Sequence, residues 1–190
     1  MKGIVVERAG GPEVLQFHTV PTPELRPDWI LIRVKAFGLN RSEVFTKQGH
    51  SPDVKFPRIL WIECVGIVEA APPDTGIMVG QRVAALMGGM GRLYDGSYAE
   101  YTLVPAKQVI PLKKNNDISS LPWETLAAIP ETFLTAWGSL VQAMDVKSGQ
   151  TLLVRDGTSS VGMAVISCQA AGSNHRCHYS KQGQNRCITQ

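Results

Sequence analysis

The stretch Asp156-Gly157-Thr158-Ser159-Ser160-Val161-Gly162 lies between two apolar runs, Thr151-Leu152-Leu153-Val154-Arg155 and Met163-Ala164-Val165-Ile166. A buried-type strand, a glycine-containing loop and a helix make a phosphate site, because loop N–H groups and a helix N-terminus can face the pyrophosphate of a dinucleotide. Gly157 and Gly162 let the backbone turn tightly and approach a ligand, and Thr158, Ser159, Ser160 and Val161 between them complete the candidate cofactor-binding set. The spacing is not G-x-G-x-x-G, and any strand-to-helix turn can share this form. A second group of chemically capable residues sits near the end of the chain, where His175, Cys177, His178 and Cys187 offer the nitrogen and sulfur donors that zinc prefers. The remaining pair of cysteines differ in setting: Cys168 adjoins that cluster, while Cys64 stands in a Val/Ile-rich run and reads as a buried, inert thiol.

Two kinds of element would have to position these groups. Up to about residue 112 the chain is a series of short strands: Ile4–Val6, Leu15–Phe17, Ile30–Val34, Cys64–Val68, Arg82–Ala85 and Tyr98–Val104. Gly10-Gly11-Pro12, Pro21-Thr22-Pro23, Pro72-Pro73-Asp74 and Gly88-Gly89 punctuate them as turns. Short strands so spaced predict a compact barrel. One helix interrupts them at Arg41–Gln48, with Asn40 or Ser42 as its cap and Gly49 as its stop. After Lys113-Lys114-Asn115-Asn116-Asp117 the pattern changes to helix, strand, glycine loop, helix. Phe133, Ala136, Trp137, Leu140, Val141 and Met144 then mark one face of a helix over Thr132–Met144.

Composition excludes several classes. The chain has 190 residues, 44% of them hydrophobic, and a net charge of +3, so it can build a core and is not disordered. It lacks the run of about 18 apolar residues that a membrane-spanning helix needs. Its start does not read as a secretory signal, which points to the cytoplasm. Lys and Arg are scattered rather than clustered, against a nucleic-acid partner.

Seven segments then occur in one order: Gly38-Leu39-Asn40-Arg41-Ser42-Glu43, Gly66-Ile67-Val68, Val79-Gly80-Gln81-Arg82-Val83, Gly96-Ser97-Tyr98-Ala99-Glu100-Tyr101, Ala128-Ile129-Pro130, Leu134-Thr135-Ala136-Trp137, and the loop at Gly157–Gly162. The series resembles the medium-chain dehydrogenase/reductase superfamily, in its quinone oxidoreductase-like branch, over residues 1–167. The resemblance implies an α+β GroES-like barrel domain (residues 1–117) followed by an incomplete α/β Rossmann domain (residues 118–167). It implies NADPH as cofactor and a quinone or enone as the small-molecule substrate. Asn40 and Thr135 match positions near the nicotinamide and are the candidate catalytic residues; a helix cap and a hydroxyl bonded back along its helix are their plain structural alternatives. Phe45 stands where related reductases often carry Tyr, and reads as a pocket wall. Tyr98 and Tyr101 read as core. Zinc is not expected: Asn40 and Ile62 replace the Cys and His ligands of the zinc-dependent relatives, and Glu63 alone cannot hold the metal. Trp61 and Asp156 both stand where the superfamily usually has Gly.

The resemblance stops after Ser167. Read one base later, the codons for residues 167–190 allow Leu-Ala-Lys-x-x-Gly-Ala-Thr-Ile-x-Ala-Thr-Thr-Arg-Asn-Lys, the expected helix end, next strand and an Arg able to meet a 2′-phosphate. Residues 168–190 are therefore expected to be an out-of-frame, disordered tail whose Cys and His residues are accidental, and the superfamily's dimerisation edge is expected to be missing. Two functions follow as expectations: an NADPH-dependent, metal-free reductase, or a truncated, non-enzymatic remnant whose barrel folds without turning over substrate.

Overall fold

The structure is a computed structural model that describes residues 1–112, 120–147, 150–170 and 176–180. It divides into two compact units, Met1–Pro130 and Glu131–Gln190.

The first unit is built on two sheets. Strands β3 (Trp29–Ala36), β5 (Glu63–Ala70), β6 (Arg82–Leu86), β7 (Tyr101–Pro105) and β8 (Val109–Pro111) form one, in the order β7-β3-β5-β6-β8 and antiparallel throughout. Strands β1 (Lys2–Val6), β2 (Gln16–Thr19) and β4 (Arg58–Ile59) form the other, in the order β2-β1-β4. Main-chain bonds join them: Ile4 N–H donates to Tyr98 O at 2.7 Å and Glu100 N–H to Lys2 O at 3.0 Å. This is the barrel that the strand spacing predicts.

The alternation along β5 explains how its two faces are covered. Cys64 and Val68 point into the inner cluster with Ile30, Ile32, Val83, Ala85 and Val104. Val65 faces the other way and packs with Ala84 against Leu126 and Ala127 of helix α2 (Trp123–Ala127). Each fully buried Ile or Leu of these clusters contributes about 1.5–3 kcal/mol relative to exposure. The domain boundary expected after residue 117 falls outside the described residues; the first unit runs on to Pro130, because α2 completes the outer face of the barrel sheet.

Helix α1 spans Arg41–Lys47, with Gln48 as its C-cap and Gly49 at φ +87° beyond it. Asn40 occupies the N-cap position, but its side chain makes no capping bond. The expected cap is a correction in that respect: the amide is engaged elsewhere.

In the second unit, α3 (Pro130–Trp137) passes into a π-helical turn over Gly138–Ala143, where the periodicity predicts one regular helix. Ala136 and Leu140 are buried against Val154, Ala164 and Val165. Phe133, Trp137, Val141 and Met144 of the same apolar stripe stay exposed. Strand β9 (Thr151–Arg155) leads through the glycine loop to α4 (Ser160–Ala170). The disordered tail expected from residue 168 is corrected where the structure describes it. Helix α4 continues to Ala170, and β10 (Arg176–Ser180) pairs in parallel with β9 along its whole length. The remainder of that tail, with His175 and Cys187, lies outside the described residues.

Candidate functional site

The glycine loop leaves β9 at Asp156, whose φ is +53°. Ser159 N–H donates to Asp156 O at 2.8 Å and closes the turn. Ser159 is also the cap of α4: its hydroxyl accepts from Gly162 N–H at 3.1 Å, and its carbonyl accepts from Met163 N–H at 2.8 Å. Gly162 must be glycine on steric grounds. A Cβ there would run into Asp156 O and lie 2.7 Å from Gly157 Cα. Gly157 and Gly162 are buried, while Thr158, Ser159 and Ser160 face solvent. The loop thus presents the start of an 11-residue helix behind small exposed side chains, an arrangement that favours a phosphate oxygen.

Thr135 lies on α3 of the same unit. Its hydroxyl donates to Glu131 Oε1 at 2.8 Å, one turn back, and its carbonyl accepts from Ser139 Oγ. The backward bond expected for it is made, with a carboxylate in place of a carbonyl.

In the barrel unit, Asn40 Nδ2 donates to Glu63 Oε1 at 2.6 Å. Glu63 opens β5 and is 2% exposed, and its main-chain O accepts from the buried Ser97 hydroxyl. An ionised carboxylate only accepts, so this contact fixes the rotation of the Asn40 amide. Beside Glu63, burial pushes the Cys64 thiol up to about 12, and the Glu63 charge adds to the shift. Cys64 is the inert thiol that its surroundings predict. Burial, and then the Glu43 charge, raise the Tyr98 phenol above its ordinary range. Phe45 is half exposed on α1, with the Arg41 guanidinium 5.8 Å from its ring.

Residues 26–114 match the family described as "Alcohol dehydrogenase GroES-like domain". The quinone oxidoreductase of Lama guanicoe is 32% identical over 180 residues, which cover 90% of this chain and 49% of that protein. The squalestatin tetraketide synthase clz2 of Cochliobolus lunatus is 34% identical over 165 residues, 85% of this chain and 6% of the synthase. Among solved structures, mycobacterial Rv1454c complexed with NADPH superposes with a TM-score of 0.81 at 28% identity, covering 96% of this chain and 54% of that one. Within and beyond its GroES-like domain, the chain is similar to proteins of the medium-chain dehydrogenase/reductase superfamily. It spans about half the length of the quinone oxidoreductase and a small part of the synthase.

Two substitutions within this superfamily pattern now have a physical description. Trp61 has φ +89° and Asp156 φ +53°, the left-handed region that glycine enters without cost. Trp61 is nevertheless well housed. Its indole N–H donates to Gly38 O, its ring lies 3.9 Å from that of Tyr98 and 5.7 Å from that of Phe37, and only 7% of it is exposed. Tyr98, which reads as core in the sequence, is partly buried and packs against the cluster that holds Trp61.

The sequence alone did not reveal Glu63 as the partner of Asn40, because the pair is 23 residues apart and meets only once β5 is laid down. The Glu131–Thr135 pair carried a visible signal, the i, i+4 spacing of a helix. Asn40 and Thr135 lie in different units, and the structure assigns each its own partner.

Proposed function

We propose that this chain carries the barrel and the cofactor loop of an NADPH-dependent, metal-free reductase of quinones or enones. The observation that carries the reading is the loop between β9 and α4, where Ser159 caps the helix and Gly162 keeps the turn free of side-chain bulk. These residues fit a pyrophosphate, because the backbone at Ser160 and Val161 begins the helix behind a loop of small side chains. Asp156 opposes an anion, and the residue is exposed. Relatives support the rest of the reading: one is a quinone oxidoreductase, and one similar solved structure is a complex with NADPH.

When bound, NADPH supplies a hydride to an electron-poor carbon. The chain's own groups hold and orient. Asn40 has given one N–H to Glu63 and keeps its carbonyl and its second N–H for a ligand. Thr135 has given its hydroxyl proton to Glu131 and keeps lone pairs. Both therefore offer acceptors fixed by carboxylates, which suits ligand amide and hydroxyl donors. No metal is needed in this scheme. Glu63 is bonded to an amide, and neither Asn40 nor Ile62 adds a thiolate or imidazole.

The test is a fluorescence titration of NADPH into the 190-residue protein, followed by quinone and enone consumption. Saturable binding that Gly162→Val weakens by more than about tenfold is expected. Absence of saturable binding would overturn the proposal, and about one zinc per chain by metal analysis would overturn its metal-free part.

A further inference from the structure

Strand β9 is paired along one edge only, by β10. Among the described residues, no other strand, bridge or turn bonds to the main chain of residues 151–155. An edge of this kind turns a row of N–H and C=O groups outward and is a template for another strand. The devices that usually guard an edge are missing from it. Thr151-Leu152-Leu153-Val154-Arg155 has no Pro and no Lys, its register with β10 runs without a bulge, and its one charge stands at the last position. The side chains are also unevenly covered. Leu152 and Val154 pack with Ala136, Leu140, Ala164 and Val165, whereas Thr151, Leu153 and Arg155 point the other way, and Leu153 is 64% exposed. Strands of parallel sheets are ordinarily covered on both faces.

A strand that fits this edge must set apolar residues beside Leu152, Leu153 and Val154 and a neutral residue beside Arg155. The strand itself meets these conditions when it runs antiparallel to a second copy about a two-fold axis through Leu153. The two exposed leucines then lie directly opposite one another, each Leu152 faces the other copy's Val154, and each Arg155 faces a Thr151. Charge selects this register. Centring the pair on Val154 would set Arg155 against Leu153 and leave the two arginines about 7 Å apart along the strands, whereas centring it on Leu153 keeps them about 14 Å apart, beyond the screening length of about 8–10 Å. The same edge serves both copies, so the pairing closes at two.

We propose that β9 is a dimerisation strand, through which two copies of this chain join edge to edge in the order β10-β9-β9-β10 with Leu153 on the axis. The inference does not depend on the reductase reading.

The test is sedimentation equilibrium of the 190-residue chain from about 1 to 200 µM. A dimer is expected with a dissociation constant on the order of 10 µM, because the contact is small. Leu153→Lys and Leu153→Glu change a side chain that is exposed in the single chain, so the circular dichroism of each variant should match that of wild type. Each sets like charges opposite one another across the axis and should weaken the dimer at least about tenfold, while an equimolar mixture of the two sets Lys against Glu and should restore it. Leu153→Cys gives a second reading with a small neutral side chain. Residues paired on the axis fall within the disulfide range of Cα separations, about 4.4–6.8 Å, so mild oxidation should link the two copies at position 153, as mapped by mass spectrometry. A wild-type chain that stays monomeric or forms larger species, a dimer that Leu153→Lys leaves intact, a mixture that remains monomeric, or a dimer without the link at position 153 would each overturn the proposal.

Discussion

Trp61 shows two residue-scale effects in opposition. Its left-handed backbone stores strain of about 1–3 kcal/mol, which a glycine would release. Its buried ring, stacked on Tyr98 and hydrogen-bonded to Gly38, would leave a cavity whose formation costs about 3–5 kcal/mol. The second effect is larger, so Trp61→Gly should lower stability by roughly 1–3 kcal/mol in urea unfolding, and added indole should restore part of the loss. A gain in stability would mean that strain dominates. Cys64 gives a pH prediction. Its ordinary value is 9.0 and its folded value about 12, so the raised value favours the folded state while the thiol is neutral. That contribution is complete below pH 9.0, and is lost as pH rises through the folded value near 12, because the unfolded thiol ionises first. Wild type should therefore lose about 1.4 kcal/mol per pH unit across this window relative to Cys64→Ala, measured by denaturant unfolding. Parallel pH profiles for the two proteins would refute it. Cys64 was legible from its Val/Ile neighbours. The geometry at Trp61 was not, because a φ angle is set by Gly91 and Gly96 packing on that backbone from another part of the chain.

Element by element, the strands were the most legible part. Period-two patterns with β-branched residues place β3, β5, β6 and β7 within a few residues of their observed ends. Helix α3 was less so, since hydrophobic spacing does not distinguish an α turn from the π turn that begins at Gly138. Strand β10 was missed because its sequence is polar and carries no strand signal; the parallel pairing with β9 is what defines it. The loop between β9 and α4 tests how charge and backbone conformation combine. Asp156→Asn removes the charge and keeps a side chain that tolerates positive φ, whereas Asp156→Gly removes both charge and strain. Both variants should bind NADPH more tightly, by about threefold to tenfold in a fluorescence titration, if the carboxylate repels the pyrophosphate. Only Asp156→Gly should also raise the melting temperature. Unchanged affinity in both would show that the exposed carboxylate points clear of the ligand.

The whole chain divides at Pro130, and the reason is one helix. Composition changes near Asn115, which is where a boundary reads most naturally in the sequence, yet the barrel sheet has a second face that the change in composition does not reveal. Val65 and Ala84 lie on that face, and Leu126 and Ala127 of α2 cover them at 2% and 4% exposure. No helix among the described residues is long and apolar enough to cross a membrane. Leu126→Ala should then destabilise the barrel by about 2–4 kcal/mol, the range for a buried Leu truncated to Ala. Amide hydrogen exchange locates the effect. Exchange along β5 and β6 should quicken by roughly 30-fold to 1000-fold, while protection in α4, which packs with Ala136 and Val154, should hold. If Leu126 instead belonged to the unit that holds the cofactor loop, as a boundary after residue 117 would require, the pattern would reverse: α4 and β9 would lose protection and the barrel strands would keep it.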